Sequence, residues 1–413
     1  MSNQKYDLLL CGGGVIGLSI ALQCARKGWS VIVVDSGDIG KGASWAGAGI
    51  LPAGATLTAF DPIEQLRALS HQLHAEWSII LKQETGIDNE YRNSGGVYLA
   101  RTNAERATLA GNQLWWNEHG IQFECWDGQE IARNISALKD LAIDSPNLRA
   151  WHVPADCTLR NPRHLQALTQ ACLQLGVTLV ERTPIDRFDS DPNCILAAIS
   201  GNQRFLADRY CITNGAWASR LLPELGIETG ILPVRGQMIL FKLDHPPFSQ
   251  VIHDGHRYLV PREDGHVLAG SCEEEVGFDP TTTETMVQDL KDWAYGMCPL
   301  LRPSKAIRSW AGLRPGSFDT YPYLGTLHPF QNGFLASGHF RHGLHWSTAT
   351  ALLMQQWMAG EPTEIDLKPF CIQRGQTLGN QLTDHQLTDH QLTNHQSTNH
   401  QSTNHQSTNH GTT

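Results

Sequence analysis

The sequence predicts an α/β protein of two domains, one built on a parallel sheet and the other an α+β domain with a mainly antiparallel sheet. The first domain is indicated by two near-continuous apolar strands, Tyr6–Cys11 and Val31–Val34, joined by an amphipathic helix. Such a βαβ unit requires parallel strands that are covered on both faces. The second domain is indicated by the β-rich stretch Gly230–Ser271, which differs in character from the first forty residues.

Three early helices are predicted where apolar residues recur at helical spacing and a glycine follows. The first ends at Gly28, the second runs from Asp61-Pro62 to Gly86, and the third runs from Asn161-Pro162 to Gly176. The positions predicted to face the core are Val15, Leu18, Leu22, Ala25, Leu66, Leu69, Leu73, Trp77, Ile80, Leu165, Leu168, Cys172 and Leu175.

Later elements follow the same rules. Val177–Glu181 is predicted as a strand, and Tyr258–Pro261 with His266–Ala269 as a hairpin that turns at Asp264-Gly265. Ser347–Trp357 is predicted as a helix that buries Leu352, Leu353 and Trp357.

Composition limits the function classes. The 413 residues favour about two to three domains. Thirty-one basic against 41 acidic residues leave a net charge of −10, which argues against nucleic acid as the main partner. Ten scattered cysteines without metal spacing predict neither a disulfide framework nor a metal site, and so favour the cytoplasm. Apart from Leu8–Ala25, which glycines interrupt, no long apolar run predicts a membrane partner.

The C-terminal segment differs from the rest of the chain. Residues 375–413 repeat five-residue units rich in His, Gln, Thr and Asn. Because such a segment cannot bury enough apolar surface to offset its ordering entropy, it is predicted to be disordered. Its histidines leave weak metal binding open as an alternative.

A glycine fingerprint carries the clearest functional signal. Gly12, Gly14 and Gly17 form G-x-G-x-x-G between a strand and a helix, and Asp35 ends the next strand. Glycines permit close approach of the backbone to a pyrophosphate, and the carboxylate accepts hydrogen bonds from a ribose. The pattern predicts binding of NAD or FAD, and Asp35 argues against NADP because it would repel a 2′-phosphate.

Five ordered motifs carry a family resemblance. They are G-D-I-G-K-G-A-S-W-A-G-A-G-I-L at Gly37–Leu51, I-T-N-G-A-W-A-S at Ile212–Ser219, L-P-V-R-G-Q at Leu232–Gln237, A-G-L-R-P-G at Ala311–Gly316 and G-H-F-R-H-G at Gly338–Gly343. The chain therefore resembles the D-amino acid oxidase superfamily of FAD-dependent oxidoreductases over about residues 5 to 370. Within it, the motifs most resemble the glycine oxidase group, which is associated with thiamine biosynthesis.

The resemblance implies a discontinuous domain arrangement. A Rossmann-like FAD-binding domain would comprise residues 1–90, 151–218 and 306–372. The substrate domain would comprise residues 91–150 and 219–305, leaving 375–413 as the tail.

The resemblance also implies a set of cofactor-binding residues. FAD would be non-covalent, because no cysteine occurs at Leu313-Arg314-Pro315, near which some relatives attach their flavin. The loop before the Ser347–Trp357 helix would pass the flavin pyrimidine. The implied cofactor residues are Gly12, Gly14, Val15, Ile16, Gly17, Asp35, Ser36, Ala43, Ser44, Ala48, Gly49, Ile50, Ile185, His339, Phe340, Arg341, His342, Gly343, Leu344 and His345.

Four residues are implied at the substrate. Arg314 matches the arginine that binds the substrate carboxylate, and Tyr258 matches a tyrosine that hydrogen-bonds it. Strand alternation would place His256 on the face of Tyr258, and Arg341 completes the set. The structural alternatives are an ion-paired or surface Arg314, a packed Tyr258, and a merely polar or metal-binding loop around Arg341. Leu313 and Pro315 predict a partly buried loop for Arg314, which favours the substrate role.

The implied reaction is oxidative deamination of glycine or a similarly small amine to imine or glyoxylate, ammonia and hydrogen peroxide, with O₂ as electron acceptor. The alternative is a flavin dehydrogenase or oxidase of a D-amino acid, proline or a sarcosine-type amine. A nucleotide-binding protein without turnover is a third possibility, and a homo-oligomer is left open. Glu273 stands where the group has an apolar residue, so it would contact the substrate amine or face solvent.

Overall fold

Two eight-stranded sheets organise the chain in the computed structural model, which describes residues 4–374. In this range the strands, β1 to β18 in chain order, are Lys5–Cys11, Val31–Val34, Ile50–Leu51, Gly96–Ala100, Glu124–Trp126, Arg149–Val153, Cys157–Thr158, Thr178–Val180, Arg187–Ser190, Ile195–Ser200, Gln203–Ile212, Leu232–Lys242, Val251–Asp254, Arg257–Pro261, His266–Gly270, Ala306–Gly316, Tyr323–Thr326 and Gly333–Ser337. The helices, α1 to α10, are Val15–Arg26, Ala43–Ala46, Pro62–Thr85, Asn103–Glu118, Gly128–Asn134, Lys139–Asp144, Asn161–Gln174, Ala218–Leu221, Glu284–Met297 and Gly343–Ala359.

The first sheet has the order β17-β18-β11-β1-β2-β8, with β10 and β9 attached to β11. Its central pairs are parallel, including β1 with β2 and β1 with β11. Leu8 and Leu10 pack toward α1, α3, α7 and α10, whereas Leu9 packs on the opposite face. Because side chains alternate along a strand, a strand that is buried on both faces reads as a continuous apolar run. The predicted parallel sheet is confirmed.

The second sheet has the order β16-β12-β15-β14-β13-β4-β6-β5. Its pairs are antiparallel except β13 with β4, which confirms the mainly antiparallel prediction. The predicted hairpin forms, with Leu259 opposite Ala269 and Gly265 at a φ of +85° in the turn. Leu259 packs into a core with residues of α5, α6 and α9, so Tyr258 beside it points to the other face.

The strand order differs from the predicted domain arrangement at residues 306–316. Ala306–Gly316 pairs with β12 in the second sheet, although the sequence-based division assigns residues 306–316 to the FAD-binding domain. The discontinuous division remains a proposal, in which this strand belongs with the second sheet.

The helix boundaries follow the predicted caps. Asp61 accepts a hydrogen bond from the Ile63 amide at the start of α3, and Gly86 ends it in the left-handed conformation. Leu175 was predicted to face the core, but it caps the end of α7 and is 46% exposed. This prediction is wrong because Leu175 lies beyond the last helical turn.

The last helix is longer than predicted. α10 begins at Gly343 instead of Ser347, directly after a 3₁₀ turn at Phe340–His342. Leu353 is buried as predicted, but Trp357 is 41% exposed and its indole N–H donates to Thr326 Oγ1. The prediction failed for Trp357 because α10 is apolar on nearly every side, so its pattern does not identify the outer face.

The chain up to Ile372 forms one unit and Gln373–Thr413 a second. The tail predicted to be disordered, 375–413, lies outside the described residues. Within residues 4–374, no helix has both the length and the apolar character that crossing a membrane requires.

Candidate active site

A cavity of about 840 Å³ opens at the carboxyl ends of the first sheet and extends to the second. Gly12 and Asp35, which follow β1 and β2, line one end, and Met238, Tyr258 and Arg314 line the other. Ligand pockets typically measure roughly 300–1,000 Å³, so this cavity has room for a large ligand. Its position matches the rule that ligands of open α/β sheets bind beyond the carboxyl ends of the strands.

The glycine fingerprint shapes the first end of the cavity. Gly12 has a φ of +119°, and a Cβ there would lie 2.6 Å from Asn214 Cα. A Cβ on Gly17 would lie 2.0 Å from the Gly12 carbonyl oxygen, so Gly17 allows α1 to pack closely on the loop. The glycines therefore form a cradle at the N-terminus of α1 that fits the pyrophosphate of a dinucleotide.

Asp35 holds the loops on both sides of this cradle. Its carboxylate oxygens accept hydrogen bonds from the Gly13 and Gly37 amides, both at 2.7 Å. A carboxylate oxygen accepts more than one hydrogen bond, so Asp35 keeps acceptor capacity for a ribose hydroxyl. Ser44 Oγ accepts a hydrogen bond, at 2.9 Å, from the Val15 amide at the start of α1.

The segment from Ala43 to Ile50 forms a wall between the two ends. Gly49 has a φ of +77°, and a Cβ there would lie 1.9 Å from the Leu159 carbonyl oxygen. Side chains outside the segment hold its carbonyl groups: Arg262 donates to Ala48 O at 2.6 Å and Trp310 donates to Ala46 O at 3.0 Å.

Arg262 is not among the site residues predicted from the sequence. It is buried, and burial lowers its pKa to about 10, so it stays cationic at neutral pH. The sequence signal that could have identified Arg262 is a charged residue directly after the apolar end of a predicted hairpin strand.

Arg314 lies on β16 at the second end of the cavity. It is in a strand, so the expectation of a loop is wrong: Leu313 and Pro315 pair with β12. Its guanidinium donates to Ser271 Oγ at 2.7 Å and to Cys272 O at 2.9 Å. It lies over Gly236, where a Cβ would come within 2.2 Å of Nη2.

Tyr258 and His256 reach the cavity from different elements. Tyr258 lies on β14, with its hydroxyl 3.5 Å from Met238 Sδ. His256 lies in the turn between β13 and β14, so strand alternation does not apply to it, yet it lines the same cavity.

The loop before α10 completes the wall. Burial lowers the pKa of His339 and His342 to about 3, so both are neutral at physiological pH. His339 Nε2 contacts Thr350 Oγ1 at 3.1 Å, and His342 stacks on Trp346 at 4.5 Å. Arg341 forms an ion pair with Glu273, and both side chains are exposed.

The loop histidines do not converge on one point. Among residues 4–374, no group of three or more His, Cys, Asp or Glu side chains is arranged to hold a metal ion.

Most predicted cofactor residues line the cavity, and two do not. Those on its wall are Gly12, Gly14, Val15, Ile16, Asp35, Ser36, Ala43, Ser44, Ala48, Gly49, Ile50, Ile185, His339, Phe340, Arg341, His342, Gly343 and Leu344. Gly17 and His345 lie behind it. His345 is buried with its ring 6.2 Å from that of His74.

A polar group on the cavity wall was also not predicted from the sequence. His253 stacks on Tyr98 at 4.3 Å, and both line the cavity. Tyr98 donates to Asp156 at 2.7 Å, and burial raises the pKa of Asp156 to about 6. No motif marks these residues, because their strands meet only in the folded chain.

Comparison with known proteins agrees with this geometry. The family model DAO, described as FAD dependent oxidoreductase, matches residues 7–357. Glycine oxidase of Pseudomonas putida KT2440 is 32% identical over 371 residues, covering 88% of this chain and 97% of that protein.

Two further similarities concern a crystal structure and a bifunctional protein. The crystal structure of glycine oxidase from Geobacillus kaustophilus superposes with a TM-score of 0.85 at 28% identity, covering 90% of this chain and 99% of that one. The bifunctional protein ThiO/ThiG of Synechocystis sp. is 30% identical over 91% of this chain and 55% of its own length.

Proposed function

Because the chain belongs to the DAO family of FAD-dependent oxidoreductases, we propose that it oxidises glycine or a similarly small amine. Glycine, water and O₂ would give glyoxylate, ammonia and hydrogen peroxide. FAD, when bound, supplies the redox chemistry by accepting the electron pair of the substrate Cα–H bond. The remaining requirements are to bind the substrate, orient it and exclude water, and these fall to the side chains of this chain.

The residues of the first end fit FAD. The cradle at Gly12 and Gly14 would hold the pyrophosphate, and Asp35 would accept from the ribose. The N-terminus of α10, at Gly343 and Leu344, lines the cavity. A helix N-terminus carries a partial positive charge, which stabilises an anion placed there.

The observation that carries the proposal is the environment of Arg314. Its two contacts, Ser271 Oγ and Cys272 O, are neutral acceptors, so its charge is not cancelled by them. A planar guanidinium binds a carboxylate with two parallel hydrogen bonds. Arg314 would hold the substrate carboxylate in this way, and the Tyr258 hydroxyl would donate to the same group.

The surroundings of Arg314 favour a small substrate. Met238 occupies the space that a side chain on Gly270 would fill, with its Sδ 2.1 Å from a Cβ there. The Tyr258 hydroxyl contacts the same sulfur. Two fixed side chains beside the carboxylate site leave little room for a bulky group on the substrate Cα.

Burial of the cavity wall favours the reactive form of the substrate. His253, whose pKa burial lowers to about 4, and His342 are uncharged at neutral pH. A water-poor cavity lowers the pKa of a bound ammonium, so the substrate amine would lose its proton on binding. Orientation by Arg314 and Tyr258 then supplies the reactive geometry without a dedicated base.

The cellular part of the proposal has two supports. Nine cysteines are free thiols, which suits a reducing cytoplasm: Cys11, Cys24, Cys125, Cys157, Cys172, Cys194, Cys211, Cys272 and Cys298. The similarity to the bifunctional protein ThiO/ThiG supports the link to thiamine biosynthesis.

The proposal is tested with the purified flavoprotein and three amines: glycine, sarcosine and D-proline. The visible spectrum is recorded anaerobically, and hydrogen peroxide is then measured in air. Bleaching by glycine with stoichiometric peroxide is expected. Bleaching without peroxide would establish a dehydrogenase, and bleaching by D-proline or sarcosine alone would replace glycine as the substrate.

A further inference from the structure

Three consecutive residues hold the two arginines of the substrate end. Ser271 Oγ and Cys272 O accept hydrogen bonds from Arg314, and the carboxylate of Glu273 pairs with Arg341. The charges of the two arginines therefore have different partners. Arg314 has neutral partners and keeps its charge, whereas the charge of Arg341 is balanced by an anion from the adjacent residue.

The ion pair lies at the edge of the cavity. Arg341 lines the cavity with Tyr258 and Arg314, and the side chains of Arg341 and Glu273 are both partly exposed. The 3₁₀ turn Phe340–His342 that carries Arg341 packs against β16, which carries Arg314. A ligand bound to Arg314 therefore shares the cavity with Arg341, which is paired with Glu273.

We infer that Glu273 determines substrate specificity by occupying Arg341, so that the cavity accepts amines with one carboxylate and rejects those with two. This inference rests on the proposed function. A second carboxylate would meet a neutralised arginine and the negative charge of Glu273. Specific sites commonly use such a repulsive element against the wrong ligand in addition to attractive contacts with the right one.

The two acidic residues that follow Glu273 have other surroundings. Glu274 pairs with the buried Arg235 at 3.0 Å, away from the cavity wall. Glu275 is exposed and carries the same charge. Glu275→Gln therefore changes the net charge by the same amount as Glu273→Gln without touching Arg341, and serves as the matched control.

The test compares two secondary amines that differ by one carboxylate, sarcosine and iminodiacetate. In the flavin-loaded enzyme, Glu273→Gln is expected to raise the ratio of kcat/KM for iminodiacetate to that for sarcosine by about tenfold or more. The double variant Glu273→Gln/Arg341→Gln should lose this gain, and Glu275→Gln should leave the ratio within about twofold of the starting protein. An unchanged ratio in Glu273→Gln, or a gain that survives without Arg341, overturns the inference.

A binding measurement separates this inference from the proposed function. Acetate and malonate, which are not oxidised, are titrated into the protein while the flavin spectrum is followed. Glu273→Gln should tighten malonate by about tenfold relative to acetate, whether or not glycine is a substrate. If malonate is not tightened, the inference fails; if the starting protein oxidises no amine, the proposed function fails independently.

Discussion

Arg314 Nη2 lies 2.7 Å from Ser271 Oγ, so the cationic side chain at the end of the cavity is held by a neutral hydroxyl. Arg235, on β12 opposite this strand, is different: it is buried and paired with Glu274 and Asp279, each at 3.0 Å. The charge of Arg235 is thus neutralised by carboxylates. Arg314 lacks such a partner among its described contacts, which is the condition for binding an anionic ligand.

We therefore expect Arg314→Ala to lower kcat/KM for the amino-acid substrate by about a hundredfold, on the order of 3 kcal/mol, while FAD content stays unchanged. Arg314→Lys should restore only part of the loss, because an ammonium cannot form two parallel hydrogen bonds. Steady-state kinetics and the flavin-to-protein absorbance ratio measure both effects.

Arg235→Gln is the matched control. It leaves two carboxylates without their buried partner, so it should lower the melting temperature rather than act on kcat/KM selectively. Normal kcat/KM in Arg314→Ala would remove this residue from the substrate site.

Gly49→Ala should weaken FAD binding and stability together. Gly49 has a φ of +77°, and the new Cβ would lie 1.9 Å from the Leu159 carbonyl oxygen. The backbone strain alone costs about 1–3 kcal/mol, and relief of the clash would move the cavity wall at Ala48–Ile50. Thermal unfolding and FAD titration of the apoprotein measure the two effects.

Gly111→Ala provides the comparison for this variant. Gly111 lies on α4 with no heavy atom within 4 Å of a new Cβ, so alanine should be neutral or slightly stabilising there. Equal FAD affinity in Gly49→Ala and the starting protein would show that the wall tolerates the displacement.

The sequence predicted those parts of the site that depend on neighbouring residues. The glycine cradle is local, because one loop joins β1 to α1. The contact of Arg262 with Ala48 spans 214 positions, and the pairing of Glu273 with Arg341 joins a segment after β15 to the turn before α10. No periodicity encodes which distant partner a charged side chain selects, so both pairs emerged only from the folded chain.

Acid should destabilise the protein through three buried histidines behind the cavity, His74, His164 and His345. His74 Nε2 donates to the Leu344 and His345 carbonyls at 3.1 and 2.9 Å, while its Nδ1 has no described partner. Burial lowers the pKa of His74 to about 4, that of His164 to about 3, and that of His345 well below 6.5.

The sign follows from proton binding. Between about pH 6.5 and pH 4 the unfolded chain binds protons on these histidines and the folded protein does not, so stability falls as the pH falls. Asp156, whose pKa burial raises to about 6, and Glu64, whose pKa burial also raises, act in the opposite direction. They are outnumbered, because burial lowers the pKa of His253, His339 and His342 as well as that of the three histidines above.

The melting temperature should therefore fall by several degrees from pH 7.5 to pH 5, and His164→Gln should reduce this dependence. His152→Gln is the comparison, because His152 faces the exposed Glu124 and is not in this cluster. A melting temperature that is constant over the interval would contradict the neutral state of the buried histidines.

FAD is predicted to be bound without a covalent link to the protein. The cysteine on the described cavity wall is Cys11, and burial raises the pKa of its thiol, so it is not a reactive thiolate. Cys272, beside Arg314, is buried and its thiol donates to Glu274 at 3.0 Å, with a pKa raised to about 11. No cysteine occurs at Leu313-Arg314-Pro315. Precipitation with acid should therefore release all of the yellow colour into the supernatant. Colour that stays in the denatured pellet would show a covalent bond, and mass spectrometry of Cys272→Ala would then test the thiol nearest to Arg314.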